Sequence, residues 1–389
     1  MRPPDSARIR DLQERMRRDH LDALICSHPA NILLLSGYQP VVGASIALFC
    51  ASGAVGLVYP EDEKEEADQS WAHRLYDYQL GSLSNLDTPD ESAFPRVKQA
   101  LHDLGITGAA RVGIETGVHS RPSSYVSSYA FSHELSRLLE KIDPHLPLLD
   151  ADSLLVGARS ILTPEEQAKL RVACERAGVA FRAVHDRMEP GWSEHDVTIA
   201  FAESWRKQSQ DEISSDVWSF CMSGPNSAMA YKAFAHTHAR KLELGDLVLV
   251  HCNSQHLGFW SDITRTYVLG EKSERQKKLF HAVAEAHAAA FAILKPGVQA
   301  SVVDHAAREV LKQHGFGPEF RHALGHGVGY DGINHLALPR LHPTSPDVLE
   351  ENMVFNVEPA IYIEGYGGIR HCDVAVTTSS GVEILTEGC

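Results

Sequence analysis

Hydrophobic positions change their period along this chain, and the changes mark its elements. Ile9, Leu12 and Met16 recur at helical spacing, and LDALIC (21–26) then reads as a strand. From Ala23 to Pro60 there is no Asp, Glu, Lys or Arg. So long an uncharged run raises the question of a membrane span, but Pro29, Pro40, Gly37, Gly43, Gly53 and Gly56 interrupt it, which favours buried strands. SIALFC (45–50) and AVGLVY (54–59) predict a hairpin across an Ala-Ser-Gly turn. VGIE (112–115) predicts a further strand and SYVSSYAFSHELSRLLEKI (124–142) a helix. Residues 1–155 therefore predict an α/β domain, and the pattern changes within ADSLLVGARSILT (151–163).

Residues 156–389 read differently. Thr163, Pro164 and Glu166 form a helix start with a capping box, and Leu170, Cys174, Ala177, Phe181 and Val184 continue it as one apolar face. That helix is predicted to end at Pro190-Gly191, and Ser193 with Asp196 caps the next, to about Gln208. The same order then recurs. Ser273 and Gln276 open a helix that ends at Pro296-Gly297, and Ser301 with Asp304 is expected to cap its successor. Each half runs on into a strand, GDLVLVHC (245–252) and ENMVFNVE (351–358). The offset is 106 residues from Pro190 to Pro296, and 106 again from Asp246 to Asn352. Two markers at one offset indicate an internal duplication in an α+β domain, with a pseudo-two-fold axis and a site drawing on both halves.

Composition narrows the function. The 389 residues carry 36 Lys or Arg against 51 Asp or Glu, a net charge of −15, which excludes a nucleic-acid partner on electrostatic grounds. The seven cysteines are scattered and form no CxxC pair, and the first residues, MRPPDSARIRDLQERM, lack the apolar core of a signal peptide. A cytoplasmic protein with free thiols and no membrane partner is expected.

Candidate chemistry gathers in the second part. His251 closes one strand and Asp262 follows in SDITRTY (261–267). RHALGHGVG (321–329) sets His322 and His326 four apart among three glycines. Glu358 closes the equivalent strand of the second half, and GGIRHCD (367–373) adds Arg370, His371 and Cys372. Asp, His and Glu arriving from separate segments are the materials of a Zn, Mn or Fe site. Strand alternation places Arg370 and Cys372 on one face and His371 on the other.

SGPNSA (223–228), GDLVLVHCNSQHLGFWSDITRTYVLG (245–270), HALGHGVG (322–329), NMVFNVEPAIY (352–362) and GGIRHCDVAV (367–376), in this order and spacing, resemble the aminopeptidase P, prolidase, methionine aminopeptidase and creatinase superfamily. The resemblance covers essentially the whole chain. It implies a creatinase-type N-terminal domain followed by a pita-bread catalytic domain, a homodimer, and hydrolysis of a C–N bond in a small polar substrate such as a dipeptide. In the peptidases of this superfamily two Asp, one His and two Glu hold two metal ions. The second Asp matches Asp262, the His matches His326 and the first Glu matches Glu358. The first Asp falls on His251 and the last Glu on Cys372. One accessory His matches His322; the other is displaced to His335. On the substrate side the family's His has no clean match. Tyr231 takes its place, with His236 and His238 a few residues on.

Two divalent ions side by side need carboxylates to offset their repulsion, and this chain has exchanged two of them for imidazole and thiol. A dinuclear site is therefore not expected. Three readings remain. In the first, one metal, Zn or Fe rather than Mn, is held by Asp262, His326 and Glu358 with Cys372 or His251. In the second, as in creatinase, no metal binds: His322, His326 or His251 moves protons, Glu358 is the partner and Arg370 clamps an anion. In the third, the chain binds a ligand without catalysis. Ordinary Xaa-Pro dipeptidase activity is the alternative substrate reading, and a lyase on this fold stays open.

Overall fold

The structure is a computed structural model that describes residues 5–41, 45–81, 83–84, 86–117, 131–208, 215–232, 236–332 and 334–388. The chain divides into two compact units, Met1–Arg159 and Ser160–Cys389. The division lies four residues beyond the expected boundary, because residues 152–159 form a helix that stays with the first unit.

The first unit runs α1 (Ser6–Arg18), β1 (Ala23–Cys26), α2 (Pro29–Ser36), β2 (Ile46–Cys50), β3 (Val55–Pro60), α3 (Lys64–Ala67), β4 (Arg74–Tyr78), α4 (Pro89–Asp103), β5 (Val112–Ile114), α5 (Phe131–Ile142), β6 (Leu148–Asp150) and α6 (Asp152–Arg159). Its six strands form one mixed sheet in the order β4-β3-β2-β1-β5-β6. β2 and β3 are the expected hairpin, with Ile46 opposite Val58. The strands of the uncharged run, β1, β2 and β3, are buried at every position, which removes any need for alternation within them. Ala23, Ile25, Leu48 and Val58 pack on Val97 and Leu101 of α4 and on Leu138 and Leu139 of α5. α2, inside that run, was not visible as a helix because all its positions but Pro29 are buried, polar Asn31 and Ser36 included, and no polar face marks the period. No helix among the described residues is long and apolar enough to cross a membrane. The helix expected over 124–142 is present from Phe131; its first seven residues lie outside the described residues.

The second unit opens with α7 (Pro164–Arg187) and α8 (Glu194–Arg206), each closed at its start by the expected capping box. β7 (Ser215–Ser223), β8 (Leu247–His256) and β9 (Phe259–Val268) follow as an antiparallel sheet. α9 (Glu274–Phe291) and α10 (Ala300–Gln313) repeat the helix pair. β10 (Val354–Val357), β11 (Ala360–Ile363), β12 (Gly367–Arg370), β13 (Asp373–Thr377) and β14 (Val382–Ile384) repeat the strands as a three-stranded β10-β13-β14 sheet and a β11-β12 pair. A bridge between Thr264 and Cys372 ties the first set of strands to the second. Leu279, Val283 and Ala286 of α9 and Val303, Ala307 and Leu311 of α10 pack on Phe355, Val357, Ile361 and Ile369.

One predicted cap is wrong. α10 starts at Ala300, its N-cap is Gln299, and Ser301 and Asp304 form no capping box. Asp304 is buried instead. It takes two bonds from Arg308, at 2.8 and 3.0 Å, and accepts the Leu324 amide at 2.9 Å. Arg308 also donates to the carbonyls of Phe320 and His322. The pair thus anchors the histidine-glycine loop to α10.

That loop is glycine-rich for a steric reason. A Cβ at Gly325 would stand 2.0 Å from the Asn356 carbonyl oxygen, and one at Gly327 would stand 2.0 Å from that of Leu338. Only bare backbone lets His326 sit between them. Gly325→Ala is expected to push the loop off β10 at a cost of about 1–3 kcal/mol or more, measurable as a lower urea midpoint.

Candidate active site

Strand register assembles the first half of the site. On the β8–β9 ladder His251 lies opposite Thr264 and Asn253 opposite Asp262. Opposed residues share a face and residues two apart share it too, so these four side chains converge. Phe220, opposite His251 on β7, stacks on its ring with centroids 4.7 Å apart.

The second half arrives from three segments. The loop after α10 brings His326, whose Nε2 stands 3.7 Å from Asp262 Oδ2. The end of β10 brings Glu358. The end of β12 brings Arg370, and Cys372 follows it, donating its thiol proton to the Asp262 carbonyl at 3.2 Å. Donor atoms of Asp262, Glu358 and Cys372 all lie within 4.8 Å of one another. Asp262, Glu358, Cys372, His251, His326 and Arg370 are all buried, none more than 7% exposed.

Hydrogen bonds decide the proton positions. Arg370 Nη2 lies 3.0 Å from His251 Nδ1 and can only donate, so Nδ1 is the accepting nitrogen. The proton then sits on Nε2 and is given to Asn253 Oδ1 at 2.9 Å. Thr264 Oγ1, 2.9 Å from the same Nδ1, also accepts from Arg370 Nε at 2.9 Å. Both nitrogens of His251 are therefore committed. His326 is arranged the other way. Its Nδ1 donates to the Gly327 carbonyl at 2.9 Å, which leaves the Nε2 lone pair facing Asp262, with Asn356 Nδ2 at 3.3 Å. A backbone carbonyl that fixes the tautomer in this way is the usual support of a ligating imidazole. His251, expected as a possible ligand, has both ring nitrogens hydrogen-bonded, with Arg370 and Thr264 at one and Asn253 at the other.

Charges in the cluster are uneven. Burial pushes the Glu358 carboxyl up to about 8, against the pull of Arg370. Asp262 stays below its usual value: burial pushes it up, but His251, His326 and Arg370 together pull it further down. Burial lowers His251 to about 4 and raises the Cys372 thiol well above its normal range. Near neutrality the cluster thus holds an ionised Asp262, a protonated Glu358, a neutral thiol and the Arg370 cation, whose Nε is 3.7 Å from Glu358 Oε2.

The remaining expected residues fall around this centre or away from it. His335 meets His326 edge to face, ring centroids 4.9 Å apart, with its outer surface exposed. His322 donates from Nδ1 to the Ala323 carbonyl and accepts the Tyr362 hydroxyl at 3.0 Å. Tyr231 packs against Tyr362 at 5.5 Å and accepts from Arg321. His236 and His238 stand exposed on the loop after residue 235, where the His238 amide donates to Glu194; neither side chain is among the buried groups of the cluster. His371 points away from the cluster, toward Asp373. Asn253, Thr264 and Asn356 carry key bonds and went unremarked in the sequence. Each lies two residues from a recognised site residue on the same strand or just past its end, so the period of two was the signal.

A creatinase-type unit followed by a duplicated helix–helix–strand unit with this buried donor set defines a pita-bread protein. The model of the creatinase/prolidase N-terminal domain matches residues 8–161 and that of metallopeptidase family M24 residues 168–379. The chain belongs to metallopeptidase family M24. The Xaa-Pro dipeptidase of Lactobacillus helveticus is 32% identical over 381 residues, 96% of this chain and 95% of that protein. The Xaa-Pro dipeptidase of Pyrococcus horikoshii is 27% identical over 380 residues, 98% of this chain and 97% of that protein. Among solved structures, an Xaa-Pro dipeptidase from Bacillus anthracis has a TM-score of 0.79 at 25% identity, covering 98% of this chain and 97% of that one. The prolidase from Pyrococcus horikoshii gives 0.78 at 27%, covering 98% of each.

The neutral buried imidazoles make stability depend on pH. Burial, with the Arg370 charge adding to it, lowers His322 from 6.5 to about 3. The unfolded chain takes up this proton first, so the contribution is complete above the unfolded value and is lost as pH falls below it. The slope is about 1.4 kcal/mol per pH unit. His322→Gln should flatten the acid limb of the stability curve by that slope, measured by urea midpoints from neutral pH down to about pH 5.

Proposed function

We propose that this chain hydrolyses the C–N bond of a small dipeptide of the Xaa-Pro class at a centre holding one divalent ion. The observation that carries this is the charge of the buried donor set. With Asp262, Glu358 and Cys372 all ionised the cluster carries −3; the Arg370 cation reduces this to −2. That balances one divalent ion and half the charge of two. Asp262, His326, Glu358 and Cys372 would hold it, and a thiolate with an imidazole and two carboxylates favours Zn or Fe over Mn. Such an ion supplies a polarised carbonyl and a water of lowered pKa.

The protein's own groups do the rest. His251, neutral and spoken for at both nitrogens, orients Arg370 instead of adding a ligand. Arg370 brings a fixed positive charge beside Glu358, placed to meet negative charge as it develops on substrate. His335 presents its outer edge to solvent beside His326, and desolvation of its ring, with His326 adding to it, lowers it to about 4, so it stands there as a neutral imidazole. Tyr362 and His322, bonded to each other, form a wall that fixes its own geometry.

A second reading rests on the split between the two carboxyls. Asp262 ionised and Glu358 protonated near neutrality form a base and an acid even without an ion, and neighbouring groups pushed apart in pKa are a mark of acid–base chemistry.

Element analysis of protein purified without added metal, combined with a panel of Xaa-Pro dipeptides, tests both. The one-ion reading expects one ion per chain, hydrolysis abolished by chelation, and Asp262→Ala losing both the ion and at least about 100-fold in kcat/KM, since even outer partners of a ligand are worth 10–100-fold. Two ions per chain would overturn the charge argument. Hydrolysis that persists in chelator without bound metal would leave the carboxyl pair as the catalyst.

A further inference from the structure

The segment 370–373 has two faces. Arg370 and Cys372 enter the cluster just described. His371 and Asp373 face the opposite way, toward α9. There His287 Nε2 lies 3.0 Å, and His371 Nε2 3.1 Å, from one and the same oxygen, Asp373 Oδ2. The two rings meet edge to face with centroids 4.9 Å apart. Phe291, one turn further along α9, packs against His287 at 4.4 Å.

The carboxylate between them is rigidly held from behind. Arg265 Nη2 and Thr386 Oγ1 each donate to Asp373 Oδ1 at 2.6 Å. Oδ2 is thereby turned to the two imidazoles, as an outer partner fixes a ligating carboxylate. His371 Nε2 is hydrogen-bonded to Oδ2, whereas His287 Nε2, buried and 3.0 Å from the same oxygen, makes no hydrogen bond of ordinary geometry. A buried imidazole nitrogen that stands this close to a carboxylate oxygen without a good hydrogen bond to it is available to share a third centre with that oxygen. Tetrahedral Zn bonds of about 2.0–2.1 Å put neighbouring donors about 3.3 Å apart. The two observed separations are within a few tenths of this, and all three donor atoms lie within 4.8 Å of one another.

We infer that His287, His371 and Asp373 form a second metal site, separate from the buried donor set, that takes one divalent transition ion of the Zn class. Two imidazoles and one carboxylate oxygen suit Zn or Co, with water completing the shell. The His371 side chain is 40% exposed, which gives the ion an entry path. The Arg265 cation offsets the Asp373 charge, so binding is weaker than at an all-anionic site. An ion here ties α9 to the start of β13 and so braces the strand end that carries Arg370 and Cys372.

The test uses the full chain with Asp262→Ala and Cys372→Ser, which disables the first donor set, in equilibrium dialysis against Zn and in Co absorption titrations. One ion per chain should remain, with the visible bands of imidazole-bound Co. Adding His287→Ala or His371→Gln should lower the affinity at least about 10-fold and abolish those bands. Should the combined variant fail to fold, the wild-type chain and His371→Gln are compared directly, and the partly exposed position makes that variant tolerable: the number of Zn bound per chain should drop by one. Binding that is absent from the first variant, or unchanged by His287→Ala and His371→Gln, overturns the second site. Neither result depends on hydrolysis, so the outcome stands apart from the fate of the proposed activity.

Discussion

The buried guanidinium of Arg370 is the charge on which the rest of the site depends. It has been taken out of water, and a cation so placed persists only where partners surround it. Thr264, His251 and Glu358 supply that surrounding at 2.9, 3.0 and 3.7 Å. The consequences spread outward. His251 must present a lone pair to Arg370, so it must be neutral and protonated on Nε2. Asn253 must then accept that proton, and its amide is set by the carbonyls of Ser261 and Gly332. Asp262 remains ionised. A single fixed cation thus determines the protonation of residues on β8 and β9.

His251 stands where the family resemblance places a carboxylate, and its imidazole is bonded to Arg370 and Thr264. An Asp at that position next to Arg370 would pair with it directly and add negative charge. An imidazole accepts a hydrogen bond from the same guanidinium while adding none. Cys372 is different: it keeps an ionisable group at its position, but one whose ionisation burial opposes strongly. Of the two exchanged residues, only Cys372 could respond to a cation by releasing a proton, and its donor atom lies with those of Asp262 and Glu358, whereas both nitrogens of His251 are hydrogen-bonded.

Much of this was legible in the residues, and the limits were physical. Strand alternation placed Arg370 and Cys372 opposite His371, since backbone geometry alone decides faces. Three of the four helix starts were capping boxes, a local signal that needs no tertiary context. The fourth failed at Ser301 and Asp304 because burial beside Arg308 outweighed local capping: Asp304 serves the loop at residues 320–324 rather than its own helix. α2 was missed for want of a polar face. Asn253, Thr264 and Asn356 were missed because a neutral side chain draws no notice until a register shows what it faces. His236 and His238 attracted attention as histidines, yet nothing in their sequence context brought them inward.

The two sides of residues 370–373 illustrate how a strand end can carry two chemistries at once. Toward β9 the side chains are a cation and a thiol; toward α9 they are an imidazole and a carboxylate. The same period of two that sorts them also couples them, since any displacement of Asp373 moves Cys372 through one peptide bond. Arg265 spans the boundary, because its Nη1 donates to the Cys372 carbonyl at 2.6 Å while its Nη2 holds Asp373. A buried guanidinium bonded to both is a stiff link. The geometry of the face that carries Arg370 and Cys372 is therefore set partly from behind, by Arg265 and Asp373.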